Sequence, residues 1–122
     1  MGKKVWSIVD GYRPPVNKGD ADNYQGHECI LILNKTKKDA HLKIDIYFEN
    51  KPPIKGIEFT APAERISTFY THDEFFVKQT GIEIMEQYAI DITSDVEVVV
   101  QYGRMDVNQD NLAYMVTLGY GE

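Results

Sequence analysis

The chain has 122 residues, of which 43% are hydrophobic and 26% are charged, as is ordinary for one globular domain spanning residues 1–122. Its formal net charge of −6 argues against non-specific binding to nucleic acid or to anionic lipid. The apolar runs are far shorter than the roughly 20 residues that cross a bilayer, so we expect a protein that is not inserted in a membrane.

The first half of the chain reads as strands separated by polar breaks. VWSIV is the first strand, and it ends at DGYRPP. Residues 13–26 form a long polar loop, which in a compact domain is usually functional or mobile. HECILILN follows as an apolar strand, and AHLKIDIYFE alternates cleanly between apolar and polar positions. This alternation predicts a half-buried strand that is wet on one face.

The second half continues the pattern. IEFTAPAERISTFY predicts two short strands around Pro62, and THDEFFVKQTG predicts a short helical turn with Thr71 or Asp73 as its N-cap. The segment up to Thr93 ends as a strand, and Ser94–Asp95 is predicted to be a tight turn before VEVVVQY. GRMDVNQDN then reads as a polar connection, and LAYMVTLGY as the last strand.

About eight short strands with regularly spaced turns favour an all-β fold, an antiparallel β-sandwich or a jelly-roll-like barrel. Three segments, CILIL, VEVVV and YMVTL, are unusually apolar for exposed strands. They suit central strands that are buried on both faces. A homo-oligomer would supply the extra burial.

Cys29 is the only cysteine, so no disulfide can form within the chain, and we expect a cytoplasmic protein. Its place in the run ECILIL favours a small buried hydrophobe over a nucleophile. His27 and Glu28 begin the same strand, and two further histidines are His41 and His72. Their spacing matches no metal motif, so we expect no metal and no cofactor, although an enzyme with a metal on His27, His41 or Glu28 stays an alternative.

The strand VEVVVQY leads from three valines to Gln101, Arg104 and Asp106. Arg104 and Asp106 are close enough in sequence to form a local pair that pins a loop, or Arg104 could bridge to Glu28 or to another subunit. Alternatively, Gln101, Arg104 and His27 line a small-molecule pocket at one end of the sandwich. Stacking surfaces for a sugar or a protein would then come from Tyr12, Tyr47 and Tyr102.

Several segments together resemble the sensory rhodopsin transducer family. They are WSIVDGYRPP at 6–15, HECILILN at 27–34, DAHLKIDIYF at 39–48, APAER at 61–65, YAIDITSDVEVVVQ at 88–101 and RMD at 104–106. The family pattern usually has proline where this chain has Glu97.

The resemblance implies a β-sandwich that assembles as a homotetramer and acts as a non-enzymatic messenger. It also implies a partner, a membrane receptor or a small-molecule ligand such as a sugar, and it offers no catalytic residues. From the matching positions we expect a polar site or subunit seam formed by Tyr12, His27, Glu28, His41, Arg65, Gln101, Arg104 and Asp106. A carbohydrate-binding or carbohydrate-metabolism accessory is the main alternative. DNA binding is the least favoured, because affinity for a duplex rests on neutralising phosphates.

Overall fold

The computed structural model describes residues 2–14, 27–106 and 113–122. These form eight strands and one short helix. In chain order they are β1 (Lys3–Tyr12), β2 (His27–Asn34), β3 (Ala40–Phe48), β4 (Ile54–Ala61), β5 (Arg65–Tyr70), α1 (Glu74–Thr80), β6 (Gln87–Asp106), β7 (Ala113–Leu118) and β8 (Tyr120–Gly121). In the described residues, no helix is long and apolar enough to cross a membrane.

The strands form two antiparallel layers. Sheet A has the order β4-β3-β6-β1-β8, and sheet B has the order β5-β2-β6-β7. Buried side chains of both layers form one hydrophobic core, which includes Trp6, Ile30, Ile44 and Tyr102. The prediction of an all-β, antiparallel fold with about eight strands is confirmed.

Strand β6 belongs to both layers. Its first half pairs with β1 and β3 as far as Ser94, and its second half pairs with β2 and β7 from Val99 onward. Between them, Val98 still pairs with Lys3 of β1 after a register shift. The predicted tight turn at Ser94–Asp95 is therefore wrong. Here the strand bends without reversing, and Asp95 Oδ1 accepts a hydrogen bond from the His41 N–H at 2.8 Å. The predicted polar connection is also wrong over Gly103–Asp106, which continues β6 as strand.

Apolar and polar residues alternate along β3, and the apolar side chains are buried as predicted. On β3, Leu42, Ile44 and Ile46 are buried, whereas His41 and Lys43 are exposed. Apolar side chains on one face of the pleat therefore form the core, and polar ones face outward. We call the outward side the outer face of sheet A.

Sheet B buries only one of its faces within the single chain. Its inner side carries Ile30, Ile32 and Val100, none of which has any exposed surface. Its other side, which we call the outer face of sheet B, leaves Leu33 40% and Ile66 63% exposed. Within the single chain these apolar strands are therefore buried on one face, and burial of the other face by a homo-oligomer stays a prediction.

Helix α1 contributes Phe76 to the hydrophobic core. Asp73 is its N-cap, one of the two predicted, and Gly81 ends it with a positive φ of 63°. This left-handed conformation is one that glycine adopts without steric cost. The helix buries Phe76 against Phe69, with the ring centroids 5.4 Å apart.

Candidate functional site

The best-defined polar site surrounds Glu28, whose side chain has no exposed surface. Glu28 lies near the start of β2, on the inner side that Ile30 and Ile32 continue. A carboxylate in such a place is costly unless hydrogen bonds replace the water that it has lost.

Three donors satisfy this carboxylate. Glu28 Oε1 accepts a hydrogen bond from the Tyr88 hydroxyl, and Oε2 accepts one from the Tyr102 hydroxyl. Oε2 also accepts the backbone N–H of Tyr12 at 2.6 Å. The donors come from β1 and from both halves of β6, so one side chain ties both layers together.

Burial governs the protonation of this site. Removal from water raises the pKa of Glu28 above its usual value, and the hydrogen bonds from Tyr102, Tyr88 and Tyr12 offset only part of that effect. Burial, with the neighbouring Glu28 charge, also raises the pKa of both phenols. Tyr88 and Tyr102 therefore keep their protons and act as donors.

Arg104 flanks the carboxylate. It lies opposite Glu28 in the pairing of β2 with β6, and it is partly buried. Its guanidinium carbon is 5.2 Å from the centroid of the Tyr12 ring, which is within range of a cation–π contact. We call these five residues, Tyr12, Glu28, Tyr88, Tyr102 and Arg104, the Glu28 cluster.

Gly11 permits the close approach of β1 to this cluster. A Cβ at this position would lie 2.7 Å from Cε2 of Tyr88 and 2.9 Å from the Tyr88 carbonyl oxygen. Only a residue without a side chain fits here. The register of β1 against β6 also shifts between Ile8 and Gly11, which marks a β-bulge just before the cluster.

The geometry of the Glu28 cluster fits a structural role, in which hydrogen bonds hold neighbouring strands together. Its carboxylate is enclosed, its phenols stay protonated, and it joins the end of β1 to the beginning of β2. Among residues 2–14, 27–106 and 113–122, no group of three or more histidine, cysteine, aspartate or glutamate side chains could hold a metal ion.

Comparison with known proteins defines the family. The family model described as Anabaena sensory rhodopsin transducer matches residues 1–121. The chain belongs to the Anabaena sensory rhodopsin transducer family. The resemblance in the sequence is thus confirmed.

Two solved structures show the same fold as this transducer-family chain. The crystal structure of Thermotoga maritima 1070 has a TM-score of 0.82 and 28% identity, over 99% of this chain and 96% of the other. The Anabaena sensory rhodopsin transducer has a TM-score of 0.69 and 31% identity, over 91% of this chain and 92% of the other. No curated protein gives a significant match.

The transducer-family chain brings together only some of the predicted site residues. Tyr12, Glu28 and Arg104 meet in the Glu28 cluster. Gln101 pairs with Leu31, and Arg104 pairs with Glu28, so the two side chains lie on opposite faces of sheet B. The predicted pocket of Gln101, Arg104 and His27 is therefore not formed.

The other predicted residues lie elsewhere. The His27 ring is at the outer face of sheet B, 5.7 Å from the Tyr70 ring, which in turn stacks on His72 at 5.3 Å. His41 is exposed on β3, and Arg65 is exposed on β5, where its guanidinium donates to the Glu64 carbonyl at 2.9 Å. The backbone of Asp106 pairs with Ala113, and its side chain is outside the described residues.

Sequence reasoning missed Tyr88 and Tyr102 as hydrogen-bond partners of Glu28. Tyr102 was expected to offer a stacking surface, but it is fully buried, whereas Tyr47 is 41% exposed. The available signal was the position of Tyr88, which alternates in register with Ile90 and Ile92 and so faces the core. A buried phenol needs a hydrogen-bond partner, and Glu28 at the start of an apolar strand was a candidate acceptor.

Proposed function

We propose that this chain is a non-enzymatic binding and signalling module that acts in the cytoplasm as a homo-oligomer, a tetramer by analogy with its family. The observation that carries the proposal is the family match over residues 1–121. The name of that family also motivates the proposed partner, a membrane receptor of the sensory rhodopsin type.

The outer face of sheet B supports the homo-oligomer. Cross-strand pairing sets Ile66 beside Leu33 and Leu33 beside Val99, and Leu118 lies beside Gln101 on the same face. Leu118 is 62% exposed. Exposed apolar side chains that lie side by side, as Leu33 and Ile66 do, mark interaction surfaces.

The outer face of sheet A differs in character. There Lys43 pairs with Glu58 on one side and with Thr93 on the other, and Asp91 pairs with Ser7. This layer is covered by charged and hydroxyl side chains that water solvates well. The contrast favours sheet B as the face that meets a second copy of the chain.

We expect the paired substitutions Leu33→Lys and Ile66→Lys to dissociate the oligomer, because they place two like charges side by side in its seam. The mass measured by size-exclusion chromatography with light scattering should fall by half or more, toward the 14.0 kDa of one chain. The matched control, Thr60→Lys with Thr93→Lys, adds the same charge to the exposed outer face of sheet A and should leave the mass unchanged. A wild-type chain that elutes as a single copy would contradict the proposal.

Receptor binding is tested by calorimetric titration of the chain with Anabaena sensory rhodopsin in detergent, with a panel of monosaccharides titrated in parallel. We expect saturable binding of the rhodopsin and none of the sugars. Sugar binding without rhodopsin binding would favour the carbohydrate-binding alternative, which rests on the ring cluster of His27, Tyr70 and His72. Flat titrations with both would remove the support for a receptor-binding module.

A further inference from the structure

A groove opens where the chain passes from one layer to the other. Strand β8 pairs with β1 at Trp6 and Ser7, and Glu122 continues this contact through hydrogen bonds with the backbone of Val5. Strand β7, only one residue earlier in the chain, pairs instead with β6 in sheet B. The two strands separate at Gly119, whose N–H donates to the Val100 carbonyl of β6 at 3.2 Å.

The separation affects the edge of β1 that faces away from β6. Past Ser7, the strand continues to Tyr12 with β6 on one side, and no strand among residues 2–14, 27–106 and 113–122 pairs with its other side. Strand β7 likewise pairs only with β6 in the described part of the chain. The Tyr12 N–H already donates to Glu28 Oε2, so the relevant part of the β1 edge is Ile8–Asp10. Strand edges without a paired neighbour present N–H and C=O groups that can accept a further strand.

Between these two edges lies a groove of about 380 Å³. We call it the fork groove. Its lining residues are Ser7, Ile8, Val9, Asp10, Tyr102, Thr117, Leu118 and Tyr120. Three of them are among the most exposed apolar side chains described: Val9 at 78%, Tyr120 at 68% and Leu118 at 62%. Tyr102, fully buried, forms the floor and connects the groove to the Glu28 cluster.

The negative charge of Asp10 at the groove favours an occupant with a basic side chain. Asp10 is exposed at the rim, where its Oδ1 accepts a hydrogen bond from Gln87 Nε2 at 2.9 Å, and its negative charge contributes to the raised pKa of Tyr102. The β-bulge of β1 places Val9 and Asp10 outward in succession, so an apolar and an acidic side chain are adjacent at the edge. A segment that pairs here gains most from apolar side chains alternating with a basic one.

We propose that the fork groove binds an extended peptide segment of a partner protein, with alternating apolar and basic residues, as an added strand along Ile8–Asp10. The segment lies beside β1 where β7 would lie if β7 continued the pairing of β8 with β1. Its basic side chain pairs with Asp10, and its apolar side chains contact Val9 and Tyr120, which belong to β1 and β8 of sheet A. This inference goes beyond the proposed function, because it depends on the groove alone and on no particular receptor.

The test uses a fluorescein-labelled octapeptide of alternating valine and lysine, titrated into the full chain by fluorescence polarisation. We expect saturable binding, and no binding by the same peptide with proline in place of its two central residues, because proline cannot donate to a strand ladder. Replacing lysine by glutamate in the peptide should weaken binding.

Two charge-reversal variants locate the site. Asp10→Lys should weaken peptide binding about tenfold, whereas Glu58→Lys, which makes the same charge change on the edge strand β4, should change it less than about twofold. Amide chemical shifts should move at residues 8–10 and 117–120. These shifts also report binding in the wild-type chain, so the test does not depend on the folding of either variant.

Several results would overturn the proposal. Absence of saturable binding, shifts confined to β4 or β5, or equal effects of the two variants would each do so. Displacement of the peptide by N-acetyl-lysine-N-methylamide at equal concentration would indicate a small-cation site instead. A lower oligomer mass for Asp10→Lys in light scattering would show that a second copy of the chain occupies the groove.

Discussion

Glu28→Ala should lower the free energy of unfolding by about 3 kcal/mol or more, because three buried donors lose their acceptor and each unmet group costs about 1–3 kcal/mol. The donors are the Tyr88 hydroxyl, the Tyr102 hydroxyl and the Tyr12 N–H. Urea unfolding followed by circular dichroism measures the change. Glu58→Ala, which removes an exposed glutamate from β4, is the matched control and should stay within about 0.5 kcal/mol of wild type.

The pH dependence of the free energy of unfolding distinguishes the effect of the Glu28 charge from the effect of its side-chain size and hydrogen bonds. The folded-state pKa of Glu28 lies above its unfolded value of about 4.5, so folding favours the protonated form. The resulting stability is fully present below pH 4.5 and is lost as the pH rises through the folded-state pKa. Glu28→Gln should lack this component of the pH profile. If Glu28→Ala instead stabilised the fold, the cost of burying the charge would exceed the value of its hydrogen bonds.

Gly11→Ala should cost about 1–3 kcal/mol or slightly more, the usual range for atoms forced into a filled space. The new methyl group would overlap the Tyr88 ring and, more seriously, the Tyr88 carbonyl oxygen, which the strand holds in place. Thermal and urea unfolding of the variant measure the loss. The displaced Tyr88 hydroxyl should also weaken its bond to Glu28, so part of the loss should vanish in a Glu28→Gln background.

A second glycine provides the control. Gly56 has a positive φ of 80°, but nothing lies within 4 Å of the place where its Cβ would be. Gly56→Ala should therefore cost only the backbone strain of about 1–2 kcal/mol. An equal loss at both glycines, with no coupling of Gly11 to Glu28, would show that close approach to Tyr88 is not the cause.

The fold was largely predictable because alternation is a local signal. The pattern from Leu42 to Ile46 needs only a two-residue period to show which side chains are buried. The bend at Ser94 was not predictable in this way, since serine and aspartate suit a turn and a bend equally well. The difference depends on β2 and β7, which pair with the chain after the bend.

The candidate site was predictable only in part. Tyr12, Glu28 and Arg104 were identified from their positions in the family segments, and the structure brings them together. Gln101 was assigned to the same site because it is near Arg104 in sequence, but three residues along a strand reverse the face. Tyr88 lies 60 residues from Glu28, and no local pattern in one sequence identifies such a partner.

The sharing of β6 between both layers bears on how the chain folds. Sheet A lacks its central member until residues 87–94 arrive, and sheet B lacks its own until residues 99–106 arrive. Because both sheets depend on β6, neither sheet forms independently of the other. This favours two-state unfolding without a populated intermediate that contains only one sheet. Most tertiary contacts join residues far apart along the chain, so folding should be slow for a protein of this size.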